Sequence, residues 1–521
     1  MTIIPSYFNL YDYFLGDARI AARANFTAIE FRGGRITYGE LKREVDFWTE
    51  QITGCGISEG DRVALLLYDS PEWIASFLAT ISIGAVAVPI NTFLTPGEVS
   101  FILADSGARL VVSEEDLEWK VETNDEHARR GFSMLVVDSD ARHYLDPKDE
   151  IAPRPPLAAT TGETPAFMLY TSGSTGTPKG ALHRHGAVPH TVGAYSKNIL
   201  RLSERDRVYS SSRLFFAYGL GNSLSFPLEA GATVILDSER PTAERLASIF
   251  EEQSPTVFFG VPAIYRMLLD IRRAGARIDL SSVRLCISAG EALPEKIFED
   301  WAREFGLNIL DGIGSTEMLH IFISNREGEA RPGSSGRIVE GYAARLVDDH
   351  GADVAAEGVG HLNVRGDSAM LGYWNRAELT ERTIRDGWVR TGDIYRRSED
   401  DYYYHVGRSD DCFKVRGMWV SPIEVETALL AHDAVTEAAV VEGFDERGLA
   451  TARAYVVIRT DEASEALKEE LRRLVGSRLP SYKVPSQIEF IEEMPRTSTG
   501  KIQRYVLRAG SRERATGESD G

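Results

Sequence analysis

The chain has 521 residues, enough for two to four domains at ~100–200 residues each. At 43% hydrophobic and 26% charged residues it reads as globular, with too much apolar mass for a disordered chain and too little Gly and Pro for a collagen-like one. Lys+Arg 58 against Asp+Glu 78 gives a net charge of −20, which argues against a nucleic-acid-backbone binder but leaves room for a local basic pocket.

The N-terminal stretch MTIIPSYFNLYDYFLG has neither the basic start nor the clean apolar core of a secretory signal. Cys55, Cys286 and Cys412 are too few and too scattered for a disulfide framework or a zinc site, so the expected location is a reducing cytoplasm. The uncharged run Trp73–Ile90 approaches membrane-spanning length, yet Gly84 and Pro89 divide it. A buried helix followed by a buried strand, without membrane insertion, is the expectation. The apolar β-branched runs 62–67, 85–90, 109–112 and 134–138 alternate with helical periods. That alternation predicts mostly parallel sheets with helices on their faces. Residues 145–165 read as a surface connection.

An apolar strand, 166–170, runs into Thr-Ser-Gly-Ser-Thr-Gly-Thr-Pro-Lys-Gly, residues 171–180. Small residues let backbone N–H groups approach an anion, and Lys179 adds a positive donor. This suits a polyphosphate loop, although no Walker A Gly-Lys-Ser/Thr is present. His183, His185 and His190 follow; without a ligand pattern around them they read as packing behind that loop, not as a metal centre. After the apolar run 307–310 comes DGIGSTE, 311–317, where Glu317 offers a hard oxygen ligand for magnesium. In GWVRTGD, 387–393, Asp393 stands just past a strand-like segment, where a carboxylate can accept both ribose hydroxyls. The tyrosines 402–404 read as strand packing, not a nucleic-acid platform.

Near Gly407 the pattern changes. The segment 407–426 opens with charged residues and then Gly417, as a solvated joint would. A helix start at Ser421-Pro422, strands at 438–442 and 452–458 and an amphipathic helix at 463–474 make a small α+β unit. The boundary is placed at Ser409–Asp410, with a large domain over 1–408, a hinge at 409–410 and a small domain over 411–521. PRTSTGKIQR, 495–504, holds Lys501 after a Ser/Thr/Gly turn, and a polar tail follows.

Taken together and in this order, these segments closely resemble the adenylate-forming superfamily of acyl-CoA synthetases, luciferases and adenylation domains. The resemblance runs from Thr37-Tyr38-Gly39-Glu40-Leu41 to Gln503-Arg504. The segments 214–233, 258–265, 288–294 and 311–322 are similar to the benzoate–CoA ligase branch. Ile313 stands where the superfamily usually has an aromatic residue and Phe216 where it usually has a histidine, both in keeping with that branch.

The resemblance implies a large N-terminal α/β domain of packed β-sheets with flanking helices and a small mobile α+β C-terminal domain. It implies ATP, magnesium and coenzyme A as cofactor and co-substrates, and a small aromatic carboxylic acid as the activated partner. Thr171, Ser172, Gly173, Ser174, Thr175, Gly176 and Lys179 are then expected over the β- and γ-phosphates. Thr316 is expected at the α-phosphate and Glu317 on magnesium. Gly290, Glu291, Ala292, Asp311, Gly312, Ile313 and Gly314 should border the nucleotide, and Asp393 and Arg408 its ribose. Lys501 should bridge the attacking carboxylate and the nucleotide. Asp410 matches the hinge and Gly417 the face presented for thioester formation. Ala217, Tyr218, Ser288, Gly314, His320 and Ile321 should line the acid pocket, with Ala217 and Gly314 leaving room for a flat ring. A carrier-protein-loading adenylation enzyme, a CoA ligase for a non-benzoate carboxylic acid, a luciferase-like oxygenase and a non-catalytic nucleotide binder are the alternatives, and a homodimer is left open.

Overall fold

In the computed structural model the described residues are 4–121, 132–137, 154–172, 177–445, 449–459, 463–496 and 502–508, with Ser172 described by its backbone alone. They form two compact units. The first comprises Met1–Ala344, Val364–Val389 and Asp401–Tyr403, and the second Arg345–Asn363, Arg390–Asp400 and Tyr404–Gly521. Two internal segments that the sequence assigns to a large 1–408 domain therefore group with the smaller unit, as do residues 404–408.

The first unit holds a seven-stranded and a nine-stranded sheet, each parallel over most of its width, as the βα alternation predicts. The long apolar run resolves into helix Pro71–Ser82 and strand Val86–Pro89. Ser70 starts the helix, its hydroxyl accepting the Trp73 N–H at 3.2 Å, and Pro71 occupies the first turn. Trp73 stacks on Phe77 with ring centroids 5.2 Å apart, and the helix is buried all round. Gly84, at φ 76°, makes the left-handed turn that ends it. Full burial against protein accounts for the apolarity; among the described residues no helix is long and apolar enough to cross a membrane.

Within the second unit, strands Val435–Phe444, Ala450–Ile458 and Gln487–Phe490 make a three-stranded sheet. Helices Pro422–Leu430 and Glu465–Arg478 cover it, burying Val425, Leu429, Val440, Ala454, Leu471 and Val475 together. Ser421 caps the first helix, as its sequence position predicts, accepting the Glu424 N–H at 3.3 Å. A hairpin, Phe413–Val415 with Met418–Val420, turns through Arg416 at φ 53° and Gly417 at φ 80°. Two successive positive φ angles define the tight turn that favours glycine at its second position. Asp410 lies exposed in the turn before this hairpin.

Four histidines of the first unit, His183, His185, His190 and His320, are buried, and burial lowers the pKa of each. Burial pushes His183 and His185 down to about 4 and His320 to about 3. His185 uses Nδ1 as an acceptor for the Leu10 N–H at 3.0 Å. In the unfolded chain His183, His185 and His320 each bind a proton near pH 6.5 that the folded protein refuses until much lower pH. Stability is thus full above pH 6.5 and falls as the pH drops from there toward 4, by about 1 kcal/mol per pH unit for each histidine. Urea unfolding at pH 7.5 and 5.5 should show that loss; a midpoint unchanged until below pH 4.5, where carboxylates titrate, would contradict it.

Candidate active site

Strands Val257–Gly260, Leu285–Ser288 and Ile309–Gly314 are parallel neighbours that end side by side. In open α/β sheets ligands bind beyond such carboxyl ends. Ser288 pairs in register with Asp311. Both are buried; the Ser288 hydroxyl stands beside the Asp311 carboxyl, whose Oδ1 has no well-formed hydrogen bond among the described residues. Burial pushes the Asp311 carboxyl well above the usual carboxylate range. Orphaned buried polar atoms at strand ends call for a polar ligand. The exposed loop Gly290–Ala292 follows directly from Ser288, and Gly290, at φ 91°, redirects it.

Against the turn that follows Ile309–Gly314 lies the strand Pro178–Arg184, which the phosphate-loop sequence enters. Lys179 Nζ donates to the Tyr373 hydroxyl at 2.7 Å, and that hydroxyl donates to Glu317 Oε1 at 2.5 Å. Lys179 is itself 3.8 Å from the same carboxylate oxygen and 4.3 Å from the Tyr373 ring centroid. The structure thus brings Lys179 and Glu317 together as the motifs suggest, and adds Tyr373, which the sequence reading missed because nothing marks one tyrosine in Leu-Gly-Tyr-Trp. Thr171 and Ser172 close the preceding strand, Pro165–Ser172, and Gly173, Ser174, Thr175 and Gly176 lie outside the described residues. Among the described residues no three His, Cys, Asp or Glu side chains gather to hold a metal. One carboxylate fits magnesium, which keeps waters and phosphate oxygens as its other ligands.

Between Gly314 and Ile321, register partners in antiparallel strands, the chain reverses. Ser315 caps a single 3-10 turn, Thr316–Met318, accepting the Met318 N–H at 3.2 Å. The His320 N–H then donates to the Met318 carbonyl at 2.8 Å, across Leu319 at φ 68° and ψ −38°. This is a γ-turn of the strained hand, and holding a leucine there costs about 1–3 kcal/mol. Gly314 is required for a reason other than room for a ring: a Cβ there would lie 2.6 Å from the His320 carbonyl oxygen.

The reversal delivers His320 into an aromatic cage. Its ring lies 4.5 Å from Phe226, 5.4 Å from Tyr195 and 5.6 Å from Tyr218, centroid to centroid. His320 Nε2 is 3.1 Å from Asn222 Oδ1, and Asn222 Nδ2 donates to Ser210 Oγ at 3.3 Å. Ser210 gives its own proton to the Ser212 carbonyl, so toward Asn222 it can only accept. That fixes the amide and therefore the histidine tautomer: Nε2 carries the proton and Nδ1 is a bare lone pair. Nδ1 is buried with no partner among the described residues. Tyr195 and Asn222 both come from wide π-helical segments, Val192–Leu200 and Gly221–Ser225. Gly221 makes space, since a Cβ there would stand 2.3 Å from His320 Cδ2. Ala217 and Ile321 are buried nearby in sequence, and the Tyr218 hydroxyl makes long contacts of 3.5 and 3.4 Å to the carbonyls of Gly260 and Ile287 at the strand ends. Asn222 was legible only as a polar residue in an apolar run.

The remaining predicted residues belong to the second unit. Asp393 lies within the ten-residue strand Trp388–Arg397, not after it. Its Oδ1 accepts from Arg408 Nη1 at 3.0 Å and lies 3.6 Å from His405 Nε2. Burial acts to raise the Asp393 carboxyl, but His405 and Arg408 outweigh it and leave it below the usual range. Gly392 allows the approach, because a Cβ there would lie 2.9 Å from Arg408 Nη2. Lys501 lies outside the described residues; flanking it in sequence, Arg496 pairs with Ile502, and the Gln503 N–H reaches the Pro495 carbonyl at 2.8 Å.

Residues 17–374 match the AMP-binding enzyme family and residues 424–501 its C-terminal domain. The chain is 42% identical over 522 residues to a benzoate–CoA ligase of Thauera aromatica, covering 97% of each chain. Among solved structures, an anthranilate–CoA ligase in complex with anthranoyl-AMP superposes with a TM-score of 0.88 at 37% identity, over 98% of this chain and 99% of that one. A benzoate CoA ligase from Burkholderia xenovorans LB400 gives 0.85 at 42% identity, over 96% and 100%. The large sheet-rich unit and the smaller C-terminal one agree with these folds, and the chain belongs to the AMP-binding, adenylate-forming enzyme family, in its benzoate–CoA ligase branch.

Proposed function

We propose that this protein is an ATP-dependent aryl-CoA ligase that activates benzoate or a small substituted benzoate and transfers it to coenzyme A. The observation that carries this reading is that a single reversal, Gly314–Ile321, presents Glu317 beside Lys179 at one end and His320 within an aromatic cage at the other. Nearly full-length similarity to a benzoate–CoA ligase supports it.

In the first half-reaction an oxygen of the aryl carboxylate attacks the α-phosphorus of ATP, the bond to the β-phosphate breaks and pyrophosphate leaves. In the second the thiol of coenzyme A attacks the acyl carbon, the acyl–phosphate bond breaks, AMP leaves and the thiol proton passes to solvent. The difficulty of the first step is two anions meeting, so donors and cations must face the charge that develops. To this end we assign Thr171, Ser172, Gly173, Ser174, Thr175, Gly176 and Lys179 to the β- and γ-phosphates and Thr316 to the α-phosphate. Glu317 would hold magnesium, which when bound neutralises phosphate charge. Gly290, Glu291, Ala292, Asp311, Gly312 and Ile313 border the adenine; Asp393 and Arg408 hold the ribose. Lys501 brings a positive charge to the attacking carboxylate, and a pivot at Asp410 exchanges it for the Gly417 face before the thiol enters.

Ala217, Tyr218, Ser288, His320 and Ile321 receive the ring. The bare Nδ1 of His320 can only accept, which favours a ring bearing a hydroxyl or amino donor over an unsubstituted one. An AMP-release assay with ATP, magnesium, coenzyme A and single acids tests this. Turnover should be confined to benzoate and its hydroxy and amino derivatives, with a donor-bearing acid showing the lowest KM. Hexanoate or phenylacetate as the best acid would refute the pocket assignment. Pyrophosphate exchange without a CoA thioester would instead favour a carrier-protein acceptor.

Gly221→Ala should raise the KM for the acid about tenfold or more while sparing that for ATP, because the added carbon displaces His320; equal effects on both would contradict the site's division. Lys501→Ala should abolish adenylation yet leave thioester formation from supplied benzoyl adenylate largely intact, and equal loss of both half-reactions would sink the two-conformation account.

A further inference from the structure

The strained turn needs a restraint, since an unfavourable backbone geometry persists only where its surroundings over-determine it. Three successive carbonyls of the turn are bound from outside it. His183 Nε2 reaches the Thr316 carbonyl at 2.8 Å, the Met370 N–H reaches that of Glu317 at 2.8 Å, and the Ser368 hydroxyl reaches that of Met318 at 2.8 Å. A carbonyl only accepts, so His183 donates and carries its proton on Nε2. The imidazole is fully buried and stacked on Phe167, with centroids 5.3 Å apart and planes 20° apart. Ser368 is also fully buried, its Oγ 2.9 Å from the Tyr342 hydroxyl.

His183 and Lys179 lie on one strand, four residues apart and therefore on one face. The strand that brings a cation to the Glu317 carboxylate thus also grips the backbone one residue before it. Downstream on the same turn, His320 enters its cage. The turn's geometry sets the offset between the nucleotide-side carboxylate and the acid-side imidazole.

We propose that His183 and Ser368 are positioning residues that hold the Thr316–His320 turn in its strained form and so keep the ATP and aryl-acid contacts in register. Neither touches substrate. The inference rests on the reading of Glu317 and His320 given above, and the experiment separates the two.

The test uses the full-length enzyme with ATP, magnesium, coenzyme A and benzoate. His183→Phe keeps a buried stacked ring and removes the donor; His183→Gln keeps an N–H donor. The first should raise the KM for ATP and the KM for benzoate together, each about tenfold, as expected for a buried carbonyl left unsatisfied. His183→Gln should recover most of that loss. A purely structural defect would reduce the active fraction, and so the apparent kcat, with both KM values unchanged. Ser368→Ala, which removes a single oxygen, should move both KM values in the same direction and serves if His183→Phe fails to fold. Glu317→Gln, raising the KM for ATP, and His320→Ala, raising that for benzoate, check the underlying site. If these two behave so while both KM values stay within about twofold of wild type in His183→Phe and Ser368→Ala, or if His183→Gln gives no rescue, the positioning role is refuted. If Glu317→Gln and His320→Ala leave their KM values unchanged, the site reading itself falls.

Discussion

A carboxylate and a triphosphate repel each other, so an enzyme that joins them must hold both against that repulsion within bonding distance. On the function proposed above, that constraint falls on one chain reversal. Strand Ile309–Gly314 folds back on Ile321–Ser324, so closely that only glycine fits at position 314. The intervening residues place a carboxylate beside a lysine on one side and an imidazole among aromatic rings on the other. The sheet beneath supplies rigidity, and the strained turn supplies the offset between the two sides.

Electrostatics divide the site in the same way. Around Glu317, Lys179 and the Tyr373 hydroxyl form a charged, partly exposed group able to exchange internal hydrogen bonds for phosphate oxygens and a metal ion. His320 is buried, as are Tyr195, Asn222 and Phe226 around it. Burial keeps that histidine neutral, and a relay from Ser212 through Ser210 and Asn222 fixes which nitrogen holds the proton. A neutral ring with one bare lone pair can discriminate among aryl substituents without adding charge next to the reacting carboxylate.

Much of this was legible in the sequence, for physical reasons. Parallel sheets follow from β-branched runs spaced by helical periods, and the Trp73–Ile90 run resolves as predicted because burial on all sides demands the same composition as a membrane span. The charged motifs are legible because few other roles call for Thr, Ser, Gly and Lys in that order. What stayed hidden depends on contacts distant in sequence. Tyr373 meets Lys179 only because Gly372–Tyr373 pairs antiparallel with the strand carrying the lysine. Asn222 matters only because His320 arrives opposite it. His183, expected as packing, does pack, but its imidazole also hydrogen-bonds the Thr316 carbonyl, 133 residues away. The unit division was hidden for a similar reason: Arg345–Asn363 and Arg390–Asp400 join the later unit through long-range pairing, as in the 2.5 Å bond from Lys414 Nζ to Asp349 Oδ2 and the 3.0 Å bond from Arg408 Nη1 to Asp393 Oδ1.

The most direct test of the central claim is a crystal structure of the protein with a non-hydrolysable benzoyl-adenylate analogue. The account predicts the aryl ring against His320 and Tyr218, the phosphate mimic beside Thr316 and the adenine between Asp311 and the Gly290–Ala292 loop, so that the ligand spans the Gly314–Ile321 reversal. An aryl group lodged away from His320, or a nucleotide bound elsewhere than the carboxyl ends of Leu285–Ser288 and Ile309–Gly314, would contradict it.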